Sequence, residues 1–126
     1  MKSYQDLTAW QKAFALCVDV YEVTRRFPKT ETYALASQMQ RAAVSIPSNI
    51  AEGFGRRTTA DFLHSLYIGY GSVCELETQV LLASKLGYQK PEETKRLGQE
   101  LGDVERLTKA LIKSLERKRS SGQAHQ

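Results

Sequence analysis

From Leu7 to Leu115 apolar residues return every three or four positions, and no segment alternates apolar with polar as a half-buried strand does. A chain with this pattern builds from helices alone. A first helix is predicted over 6–26, where Leu7, Trp10, Phe14, Cys17 and Tyr21 carry the period and Phe27-Pro28 ends it. A second starts near Glu31 behind Thr30 as N-cap, with Leu35, Met39, Ala42, Ile46 and Ile50 inward. A third opens on the capping pattern Thr58-Thr59-Ala60-Asp61 and runs to about Leu86, where Gly87 stops it. The fourth begins around Pro91 and turns Leu97, Leu101, Val104, Thr108, Leu111 and Leu115 toward the core.

Four long helices with short connections predict an all-α, antiparallel up-down-up-down four-helix bundle over residues 1–116. With 126 residues, one hydrophobic core suffices for a single domain. The remaining residues, 117–126, are basic and polar with one Ala, and are predicted to be disordered. Pro47 lies inside the second helical pattern, where it removes a backbone donor and crowds the preceding turn at a cost of roughly 3 kcal/mol. A kink is expected there, the alternative being a break at Ile46 with a short helix restarting with Pro47 in its first turn.

The apolar arcs of the first and third helices each sweep roughly 200°, against the little over 100° that one core-facing stripe needs. That surplus predicts self-association, with Trp10, Tyr67 and Tyr70 at the interface. Cys17 and Cys74 occupy apolar helical positions and are predicted to be buried free thiols.

Catalytic chemistry finds no footing. His64 and His125 have no metal-ligand cluster around them, and Gly53-Phe54-Gly55 and Gly69-Tyr70-Gly71 follow no strand, so no metal, cofactor or enzymatic activity is expected. No apolar run is long enough to span a bilayer and the N-terminus lacks a secretion-signal layout, which places the chain in the cytoplasm without a membrane partner. On the second helix, Arg41, Ser45, Asn49 and Glu52 line a polar edge and predict a hydrogen-bond network rather than an acid-base site. Glu77 projects into the apolar arc of the third helix and should meet a basic or hydroxyl-bearing group, Arg41 first.

Net charge is +4. Lys95, Arg106, Lys109, Lys113 and Arg117 fall within an outer arc of roughly 80° on the fourth helix, with no acidic residue among them. Arg56 and Arg57 stand before the N-terminus of the third helix, where free backbone donors suit a phosphate. An RNA-binding surface and a solvated face both account for these stripes, as does an adaptor that binds a protein partner through its helix faces.

At Asp6-Leu7-Thr8-Ala9-Trp10-Gln11-Lys12-Ala13, Phe27-Pro28, the run from Gln40 through Ser45-Ile46-Pro47-Ser48-Asn49-Ile50-Ala51-Glu52-Gly53 to Arg56, and Gly71 to Gln79, the chain resembles the bacterial four-helix-bundle proteins named after intervening sequences in 23S ribosomal RNA genes. The likeness covers roughly residues 3 to 116. It implies protomers assembled into a ring, a homopentamer, and kinship with the basic, RNA- and reverse-transcriptase-binding accessory proteins of diversity-generating retroelements. Gly69-Tyr70 departs from the pattern where relatives often carry a basic residue.

Overall fold

The computed structural model describes residues 3–124 and contains four α-helices, with no strand among the described residues. They are α1 (Thr8–Thr24), α2 (Leu35–Phe54), α3 (Thr59–Lys85) and α4 (Pro91–Ala124). Helix α1 packs on α2, α2 on α3, α3 on α4 and α4 back on α1, while among the described residues the diagonal pairs stay farther apart along their backbones. Leu16, Met39, Ile46, Ile50, Leu63, Leu66, Leu76, Leu97 and Leu101 fill the space they enclose.

The helix ends follow from local polar chemistry. Ser3 Oγ accepts the Gln5 N–H at 3.1 Å and the Ser3 N–H donates to Asp6 Oδ2 at 3.3 Å, so a 3-10 turn at Tyr4–Asp6 precedes α1 and delays its start to Thr8. The second helix likewise starts later than the sequence predicts. Glu31 ends a 3-10 turn (Lys29–Glu31) and uses its carboxylate from outside, accepting the Leu35 N–H at 3.2 Å and the Tyr88 O–H at 2.9 Å. At α3 the expected cap is in place, with Thr58 Oγ1 accepting the Asp61 N–H at 3.1 Å. Gly87 ends that helix at φ +76°, which lets Tyr88 N–H reach the Ala83 carbonyl at 2.9 Å and Gly87 N–H reach Ser84 at 3.0 Å. Glu93 then accepts the Lys90 N–H at 2.9 Å and pairs with Arg26, tying the start of α4 to the end of α1.

Three expectations need correction. Helix α2 runs unbroken through Pro47 to Phe54, which excludes a break at Ile46. The buried Pro47 ring lines a groove with Trp10, Phe14 and Cys17, so tertiary packing holds the helix together across the missing donor. Helix α4 continues to Ala124, where the sequence predicts disorder from Arg117; Arg117, Lys118 and Arg119 are good helix formers and extend an existing helix one bond at a time. The last two residues of the predicted tail, His125 included, lie outside the described residues. Cys17 is half-buried, its thiol pushed up by burial, but Cys74 is exposed.

Much of the surplus apolar surface lies in two unlike strips, while Ile68 and Leu82 of α3 and Leu86 at its end are also exposed, on the flank that carries Glu75. Phe14, Val18 and Tyr21 of α1 are 51%, 47% and 41% exposed, beside the groove that α1 shares with Val44 and Pro47 of α2. Tyr67, Cys74 and Leu81, seven residues apart, form the other on the flank of α3 nearest α4. In the helix cycle the α1–α2 side lies opposite the α3–α4 side.

Helices α2 and α3 meet most closely at Gly53, where an added Cβ would stand 2.7 Å from the Phe62 ring and 2.9 Å from Ser65 Cβ. Gly71 has nothing within 4 Å of the same position. Gly53→Ala is expected to lower stability by about 1–2 kcal/mol despite the better helix former, because overpacking outweighs propensity. Gly71→Ala is expected to raise it by up to about 1 kcal/mol. Urea unfolding of the two variants checks this, and a stabilised Gly53→Ala would show that the contact yields freely.

Candidate nucleic-acid interface

The five cations predicted on the fourth helix are all exposed on α4, but they are not equivalent. Arg106 pairs with Asp103, and Lys109 Nζ lies 3.1 Å from Glu105 Oε1 and 5.5 Å above the Tyr70 ring. The carboxylate and the phenol together raise the Lys109 ammonium pKa, the Glu105 hydrogen bond contributing most. Lys95, Lys113 and Arg117 have no carboxylate within ion-pair distance among the described residues. The ridge therefore carries free positive charge at its two ends and a neutralised middle. The C-terminal end is the stronger, since Lys113 and Arg117 both stand there and, with Glu116, Ser120 and Ser121, line an open depression of about 550 Å³; the helix runs on with Lys118 and Arg119 turned to other faces. Sequence reading missed this extension by treating those residues as a disordered tail.

At the corner between α2 and α3, Arg56 bonds Glu52 at 2.5 Å, and Arg57 is exposed without a carboxylate partner among the described residues. Of the predicted interface aromatics, Trp10 stacks on Phe14 at 5.0 Å, half-buried at the edge of the first apolar strip. Tyr67 is exposed and donates to Glu116 Oε2 at 2.8 Å, a bond that raises its pKa. Tyr70 is half-buried, with its hydroxyl 3.4 Å from Glu105 Oε1.

The polar edge of α2 makes the expected network with different members. Ser72 of α3 donates to Ser45 Oγ at 2.8 Å, and Asn49 Nδ2 donates to Ser45 Oγ at 3.0 Å and to the Ser45 carbonyl at 2.8 Å. Arg41 does not meet Glu77, which is exposed. Glu77 shares the uncovered flank of α3 with Tyr67, Cys74 and Leu81, so its carboxylate reaches water and needs no partner. Arg41 instead faces the same cleft as Glu75. Gln38, Arg41, Ala42, Ser45, Ser72 and Glu75 line that cleft, an open space of about 470 Å³ between α2 and α3. Glu52 belongs to the Arg56 pair rather than to this network. Among the described residues no group of three His, Cys, Asp or Glu side chains is placed to hold a metal ion, and no helix is long and apolar enough to cross a membrane.

The family model for the 23S rRNA-intervening sequence protein matches residues 5–110. The chain belongs to that family. The fold is similar to a crystal structure, at 1.70 Å, of a protein of unknown function from the S23 ribosomal protein family of Bacteroides thetaiotaomicron VPI-5482. The TM-score is 0.79 at 21% identity, over 86% of this chain and 98% of the other. No curated protein matches. Within this 23S rRNA-intervening sequence protein, the segment that carries the resemblance is the α2 side of the α2–α3 seam. Ile46 and Ile50 are core, Ser45 and Asn49 are network, and Gly53 is the closest approach. Gly69 sits in the same seam, where a Cβ would lie 3.4 Å from that of Asn49, so the departure from the basic pattern accompanies close packing.

Across the α4–α1 seam, Arg96 Nε lies 4.0 Å from Asp19 Oδ2 and 3.9 Å from Glu100 Oε1. Burial, then the hydrogen bond to Asp19 and its negative charge, push the Glu100 carboxyl up to about 8, against the weaker pull of Arg96. Its ordinary value is 4.5, so between pH 4.5 and about 8 the folded chain holds proton that the unfolded chain releases, and stability falls as pH rises through that window. Glu100→Gln is expected to gain melting temperature relative to wild type between pH 6 and pH 9. A difference independent of pH would rule out proton sharing at this pair.

Proposed function

We propose that this family member is a non-enzymatic, cytoplasmic RNA-binding bundle, up-down-up-down in topology, whose copies close into a ring. The observation that carries the RNA reading is the unpaired charge at the C-terminal end of α4, where Lys113 and Arg117 share one face without a carboxylate partner among the described residues. Cations without carboxylate partners are the groups that neutralise phosphates and release counterions. Short connections and four cyclic neighbours support the alternating topology.

Two unlike apolar strips on opposite faces support the ring. A two-fold dimer matches one patch to itself, whereas a strip that meets a different strip gives a head-to-tail contact, and such contacts close into rings. The family resemblance supports five copies. The same strips also suit a protein partner, and an adaptor is the reading that takes over if RNA does not bind.

Fluorescence anisotropy with labelled single-stranded RNA is expected to show affinity falling steeply between 50 and 200 mM salt. Lys113→Glu with Arg117→Glu should reduce the slope of log K against log salt by about 1.4, while Lys109→Ala, already paired, should leave it nearly unchanged. Absence of binding at low salt would overturn the RNA reading. Analytical ultracentrifugation is expected to show a species several times the 14.2 kDa chain, reduced to a single chain by Phe14→Glu with Val18→Glu. A wild-type protein sedimenting only at 14.2 kDa would remove the ring.

A further inference from the structure

The α2–α3 seam is a polar cleft between two core-forming helices, and its hydrogen bonding is incomplete. Ser45 and Ser72 have one hydroxyl proton each; one is used between them, and the other has no protein acceptor among the described residues. Arg41 and Glu75 both line the cleft yet form no ion pair with each other or with any other described residue. One turn beyond Glu75 on α3, Gln79 is 7% exposed and its Oε1 is buried without a donor. The cleft thus offers a cation and a hydroxyl donor on the α2 side and a carboxylate on the α3 side. A simple anion would be repelled by Glu75, and a simple cation by Arg41. The complementary group presents paired acceptors and paired donors on neighbouring edges.

We propose that this cleft is a base-reading pocket for an unstacked guanine of single-stranded RNA, Arg41 taking the O6 and N7 acceptors and Glu75 taking the N1–H and N2–H donors. The assignment rests on the RNA reading above and adds base preference at a second place on the surface. Guanine fits both charged groups, whereas adenine places a lone pair at N1 opposite Glu75 and uracil gives a carboxylate only one ring donor. The opening is too wide for a free small molecule, whose sites usually enclose most of its surface, but suits a base held by its strand. Arg57, exposed and without a carboxylate partner among the described residues, stands just past the end of α2 at the same seam, within reach of a flanking phosphate. In a head-to-tail ring built through the α1–α2 and α3–α4 faces, the α2–α3 face stays open.

The test uses the full chain and labelled oligouridines with one central guanosine, adenosine or cytidine, titrated at 50 mM salt by anisotropy. The guanosine strand is expected to bind about tenfold tighter than plain oligouridine. Glu75→Gln, at an exposed position, and Arg41→Lys are each expected to bring the ratio of guanosine-strand to plain oligouridine affinity to within about twofold, Glu75→Gln strengthening backbone binding of every strand alike through the lost negative charge. Equal binding of all strands, preference for cytidine, or a guanosine preference that survives Glu75→Gln would overturn the pocket and leave the RNA reading standing. If no strand binds at low salt, the RNA reading itself fails and the pocket falls with it. Circular dichroism of both variants separates loss of preference from loss of fold.

Discussion

The close approach of α2 to α3 is the constraint on which the other surfaces depend. At Gly53 the two backbones come near enough that a methyl group would overlap the Phe62 ring, and one turn inward Ile50 and Ile46 are fully buried. Close contact along the seam is met by small or hydrogen-bonded side chains at Gly69, Ser45, Ser72 and Asn49, with the Phe62 ring seated over Gly53. Larger apolar residues would push the helices apart and open the core to water. The seam is therefore polar because it is tight, and its outward side becomes a cleft with Arg41 and Glu75 at its walls.

The other seams are closed in different chemistry. Thr24 of α1 bonds the Val20 carbonyl at 2.8 Å and receives Gln40 Nε2 of α2 at 3.0 Å, while α3 and α4 are joined through Tyr67 with Glu116 and Tyr70 with Glu105. At the α4–α1 seam the Asp19–Arg96–Glu100 group combines like charges with one cation, and its proton balance rather than its packing decides what it contributes. These differences make the four faces chemically distinct: two carry the longer apolar strips, one a polar cleft flanked by Ile68 and Leu82, and one an acidic pair. A bundle with four unlike faces can meet its own copies on two sides and still present the remaining two to other molecules.

Charge on α4 shows how local partners change a pattern. Five cations share an arc, but Asp103 and Glu105 on its flanks reach back to Arg106 and Lys109, at one helical turn's distance. Such exposed pairs add little stability, yet they remove two charges from the field seen by an anionic partner. What remains unpaired concentrates toward Arg117 and the helical extension beyond it.

Residue order alone determined the four helices, the Thr58 and Gly87 boundaries of α3, the Pro91 start of α4 and the inward stripes, because capping chemistry and the 3.6-residue period act over a few neighbours. The serine and asparagine of the α2 edge were legible as a network for the same reason, since polar groups beside a core need partners wherever they stand. Tertiary structure decided the rest. A helical wheel gives the direction of Glu77 relative to Leu76 but not whether a neighbouring helix covers that direction, so Glu77 reached water and Glu75 reached the cleft with Arg41. The delayed start of α2 depended on Glu31 being held by Tyr88, fifty-seven residues away, and the continuity of α2 at Pro47 on packing against α1. Periodicity records angles within one helix, whereas coverage, pairing and free charge are properties of the distances between helices.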